Sequence, residues 1–69
     1  MGTLTKKDKN RLTKRETEIA WLVVEGFTNK EIAVELNLST HTVKNHLVRT
    51  YVKLKVDNRV KLMNKMLGK

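Results

Sequence analysis

At 69 residues with no cysteine, the chain has room for one small domain, whose core supplies only a few kcal/mol and is reinforced by neither disulfides nor thiolate metal sites. Lys and Arg number 15 against 7 Asp and Glu, and the resulting net charge of +8 points to a polyanionic partner. No apolar run approaches the roughly 20 residues of a membrane span and no signal-peptide core is present, so the expectation is a cytoplasmic protein, neither secreted nor membrane-bound.

The charge falls in blocks: residues 1–15 sum to +5, residues 16–39 to −4 and residues 40–69 to +7. Such segregation suits a surface that neutralises phosphates and releases their counterions better than it suits a generic solubilising surface.

Residues 1–11, rich in Lys, Asn and Thr and without apolar period, read as a flexible basic arm or linker, and residues 12–69 as the domain. "TKRE" at Thr13–Glu16 fits a capping box, and Leu12 before it can staple the first turn. Ile19, Leu22, Val23 and Gly26 then share one side of a helix over about 14–25, which Gly26 ends. "TNKE" at Thr28–Glu31 repeats the capping pattern, and Ile32, Ala33 and Leu36 give a second helix over 29–36. Asn37 tolerates the left-handed conformation that closes a helix, Leu38 can plug the core, and Ser39 is a strong N-cap for the next element. That element, 40–54, carries Val43, Leu47, Thr50, Tyr51 and Leu54 within a sector of about 100°. Val56 and Asp57 restart the chain, with Asp57 as a candidate N-cap, and Val60, Met63 and Leu67 form a last helix over 58–67. The fold class is all-α: a four-helix bundle around a central helix-turn-helix.

The side of the third helix opposite its apolar stripe holds His41, Asn45, Val48, Arg49 and Val52, with Lys44 and His46 on the flanks. A capped helix of this kind, preceded by a short helix and a three-residue turn, meets the requirements of a major-groove reader. Lys donates to guanine O6 and N7, Asn pairs bidentately with adenine, and valine methyls suit the thymine methyl. Lys44, Asn45, Val48 and His41 are the expected base contacts. Thr28, Ser39, Thr40, Thr42, His46 and Arg49 are the expected phosphate contacts.

The stretches "LTKRETEI", "NKEIA", "TVKNH" and "KLKVDNR" occur in this order and spacing between Leu12 and Met66, and the chain there resembles the LuxR/FixJ/GerE-type DNA-binding domain of bacterial transcription regulators. The resemblance implies that Ser39, Thr42, Val43, Lys44 and His46 open the recognition helix. It also implies that Lys30 and Lys53 are phosphate contacts, and that the last helix pairs two subunits, with Val60, Met63 and Leu67 the expected dimer surface, although Met63 and Met66 read equally well as plain core. Members include stand-alone regulators and effector domains of response regulators. Val48 and Thr50 depart from the family pattern of a basic or polar residue and an isoleucine, Lys55 replaces the usual glycine, and Trp21 and Val24 replace polar or small residues.

The function expected is sequence-specific binding of double-stranded DNA by a homodimer, with RNA polymerase a further partner such a regulator can engage. Two rival readings stand beside it. A basic helical adaptor would use Trp21 and Val24 to anchor an acidic protein surface, and a sigma-factor-like helix-turn-helix would need polymerase to bind. An enzyme is not expected, because no nucleophile and base are paired. His41 and His46 face different directions, so neither metal nor cofactor is expected.

Overall fold

The computed structural model describes residues 12–69, so the basic arm expected at residues 1–11 lies outside the described residues. Among the described residues the chain forms α1 (Lys14–Val24), α2 (Asn29–Leu36), α3 (Thr40–Leu54) and α4 (Arg59–Met66), with no strand. The expected elements are all present, with ends shifted by no more than one residue. None of these helices is long and apolar enough to cross a membrane.

Two capping boxes start α1 and α2. The Glu16 amide donates to Thr13 Oγ1 at 3.1 Å while Glu16 Oε1 accepts from the Thr13 amide at 2.9 Å. Thr28 and Glu31 repeat the pair at 3.1 and 2.8 Å. Ser39 caps α3 by accepting from the Thr42 amide at 3.0 Å. Asn58, not Asp57, caps α4: Asn58 Oδ1 accepts from the Lys61 amide at 2.8 Å, while Asp57 spends its carboxylate on the Lys61 ammonium at 3.0 Å. Both residue types can cap, and the phase that buries Leu62 and Met66 decides between them.

All four helices end alike. Phe27 donates back to Leu22 O, Leu38 to Ala33 O, Val56 to Tyr51 O and Lys69 to Asn64 O, and each closure turns on a left-handed residue. Those residues are Gly26 (φ 94°), Asn37 (φ 56°), Lys55 (φ 58°) and Gly68 (φ 82°). Asn37 therefore adopts the conformation expected of it, and Lys55 adopts the same one although it stands in place of the usual glycine.

The core is built from Leu12, Ile19, Ala20, Val23, Ile32, Ala33, Val43, Leu47, Leu54, Leu62 and Met66. α3 is central, packing against both α1 and α2, while α4 lies mainly on α1. Two expectations shift. On α1 the buried side is Glu16, Ile19, Ala20 and Val23, with Leu22 only half-buried. Leu12 is held in the core, and Thr17 one turn along is half-buried and donates through its hydroxyl to Thr13 O at 3.0 Å. On α4 the buried stripe is Leu62 and Met66; Met63 is half-buried, and Val60 and Leu67 face outward at 65% and 48% exposure.

Candidate nucleic-acid interface

α3 owes its orientation to its own stripe. Val43, Leu47, Thr50 and Leu54 are buried, so the opposite side must face solvent along its whole length. His41, Lys44, Asn45, Val48, Arg49 and Val52 are all exposed there, with Val48 at 53% and Val52 at 70%. Among the described residues, the exposed polar side chains of His41, Lys44, Asn45 and Arg49 have no side-chain hydrogen bond or ion pair to satisfy them. Donors left unspent on a rigid helix are what base-edge recognition needs.

The hydroxyls at the helix starts are partly committed. Ser39 Oγ donates to Thr42 Oγ1 at 2.9 Å, so Ser39 spends its proton within the cap while Thr42 retains its own for an outside acceptor. Thr28 accepts from Glu31 and likewise retains its proton. Thr40 and Lys30 are exposed.

Lys53 lies in a different setting. Its ammonium donates to Glu16 Oε1 at 2.7 Å, joining α3 to the first turn of α1; the Glu16 side chain is 2% exposed and the Lys53 side chain 31%. Burial on its own pushes the Glu16 carboxyl up. The Lys53 hydrogen bond and charge and the Thr13 hydrogen bonds outweigh burial, leaving the carboxyl below its ordinary value of 4.5. An ammonium carries three donors, so one remains Glu16's while the exposed part of Lys53 still faces solvent.

Thr50 and His46 share one local device. The Thr50 hydroxyl, fully buried, donates to the His46 carbonyl one turn back at 2.8 Å, which satisfies a polar group where the family more often has isoleucine. His46 is half-buried, and its Nδ1 finds no partner among the described residues, so an outside contact of His46 goes through Nε2.

Two polar links escaped sequence reasoning. Glu16 and Lys53 are 37 residues apart and Arg59 reaches back 30 and 32 residues to Asn29 and Phe27; pairs this distant leave no local pattern. Trp21 is 44% exposed, but Val24 beside it is half-buried against the core and adds little to an anchor. Among the described residues no group of His, Asp and Glu side chains could hold a metal ion.

The chain is similar to the transcriptional regulatory protein LiaR of Bacillus subtilis (strain 168), 52% identical over 48 residues that cover 70% of this chain and 23% of that protein. It is similar to DesR of the same organism, 40% identical over 58 residues, covering 84% of this chain and 29% of that protein. The nitrate/nitrite response regulator NarL of Escherichia coli (strain K12) is 41% identical over 56 residues, covering 81% of this chain and 26% of NarL. The chain thus spans between a fifth and a third of the length of these relatives. No solved structure is a significant match. The pattern of the bacterial regulatory proteins of the luxR family matches residues 10–66, so the chain belongs to that family and is a helix-turn-helix DNA-binding domain of transcription regulators, not an enzyme.

Proposed function

We propose that the domain binds double-stranded DNA sequence-specifically in the cytoplasm, as a homodimer that places one α3 in each of two successive major grooves roughly 34 Å apart. The observation that carries this reading is the exposed, unspent face of α3. Lys44, Asn45, Val48 and His41 lie there within reach of base edges. Thr28, Lys30, Ser39, Thr40, Thr42, His46, Arg49 and Lys53 face the two phosphate walls and supply affinity and register, Lys53 through the donors that Glu16 does not use and Ser39 by turning onto phosphate the hydroxyl proton it gives Thr42 in the free domain. Val60, Met63 and Leu67 on α4 form the seam between subunits, supported by the outward exposure of Val60 and Leu67. The domain regulates transcription alone or as the effector part of a response regulator, and it engages RNA polymerase from DNA.

The test is selection from a randomised duplex pool, followed by affinity for the enriched site and for random duplex across a salt series. Steep salt dependence on both, with an advantage of about 1000-fold or more for one sequence, is expected. Lys44→Ala is expected to weaken the enriched site by about 1–3 kcal/mol and random duplex far less. Equal losses would make Lys44 a phosphate contact. Absence of any enriched sequence would overturn the reading and turn attention to protein partners at Trp21.

A further inference from the structure

Arg59 is the first residue of α4, yet its side chain serves α2. One arm of its guanidinium donates to Asn29 Oδ1 at 2.9 Å and the other to the Phe27 carbonyl at 2.6 Å. These two acceptors flank Thr28, the residue that caps α2, so the fork grips the backbone on one side of the cap and a side chain on the other. A planar, permanently charged fork with two bonds defines an orientation, which one bond cannot.

The packing gives that grip its importance. α2 packs chiefly on α3, whereas α4 lies mainly on α1. The chain enters α2 two residues after the left-handed turn at Gly26, an open position where even a Cβ would meet nothing within 4 Å. Arg59 therefore ties the start of α2 to α4 through polar bonds. The residue after Asn29 is the exposed Lys30, and the residue after Arg59 is Val60, on the outward side of α4.

We propose that Arg59 is a positioning residue: it makes no DNA contact itself, but holds the first turn of α2 so that Thr28 and Lys30 meet the phosphate wall in register with α3. The inference rests on the DNA-binding reading above.

Two measurements test it. Without DNA, amide chemical shifts and hydrogen exchange of residues 27–31 are compared between the native chain and Arg59→Lys, whose single ammonium cannot reproduce the fork. Altered shifts and faster exchange confined to this turn, with the α1 and α3 core amides unchanged, are expected; an unaltered turn would overturn the proposal. With DNA, the salt slope on the enriched duplex is measured for the native chain, Lys30→Ala, Arg59→Lys and the double variant. Lys30→Ala is expected to lower the slope by about 1 in the native background, Arg59→Lys by a similar amount, and the double variant no further. Equal effects of Lys30→Ala in both backgrounds would reduce Arg59 to a purely structural tie. If the turn responds without DNA but the native chain prefers no duplex, the DNA-binding reading is what fails, and the role of Arg59 at a phosphate wall fails with it.

Discussion

A carboxylate that is almost wholly buried needs a reason to stay charged, and at Glu16 the reason is Lys53. The same oxygen, Oε1, accepts the Thr13 amide and the Lys53 ammonium, so one residue closes the cap of α1 and anchors the far end of α3. Removing the cation strands the charge, whereas neutralising the acid leaves Lys53 free to turn to water. Lys53→Met is therefore expected to cost about 2–3 kcal/mol in denaturant unfolding at neutral pH, more than Glu16→Gln, the figure being held down by the partial exposure of Lys53. The pH dependence has a definite sign. Because the folded carboxyl titrates below its ordinary value of 4.5, its stabilisation is fully present above that value and is lost as pH falls through the lower folded value. Unfolding followed across the acid range should show this loss in the native chain and a flatter profile in Glu16→Gln. The cap was legible from "TKRE"; the ion pair was not, because a spacing of 37 residues carries no periodic signal.

The four elements were legible almost entirely from local chemistry. Two capping boxes, a serine cap, Gly26 and Asn37 mark the ends, and a period of 3.6 marks the faces. Where reading failed it did so at α4, a short helix in which several phases bury two or three apolar residues equally well. Val60, Met63 and Leu67 make as good a stripe in sequence as Leu62 and Met66; only packing against α1 selects the latter. A helix end also carries an identifiable weakness. Lys55 holds φ at 58°, a conformation that costs a side-chain-bearing residue about 1 kcal/mol relative to glycine. Lys55→Gly should raise stability by about that amount and the melting temperature by several degrees, read by thermal unfolding.

At the scale of the whole molecule, the apolar residues of α4 divide between the core, with Leu62 and Met66, and the proposed pairing surface, with Val60 and Leu67. Val60 is exposed, so Val60→Glu is expected to leave the melting temperature nearly unchanged and binding to a single half-site intact, while abolishing cooperative binding to a two-half-site duplex. Undiminished cooperativity would move the pairing surface off α4. Helix positions, the caps of the first three helices, the exposed polar face of α3 and the family were determined by the sequence itself, since each depends on residues within a turn or two of one another or on an ordered set of short motifs. The tertiary structure alone decided that Leu62 and Met66 enter the core, that Lys53 is shared with a buried carboxylate, and that Arg59 grips the start of α2. Those outcomes depend on which groups meet after the chain has turned three times, and contacts between residues 30 or more apart are set by packing geometry rather than by local propensity.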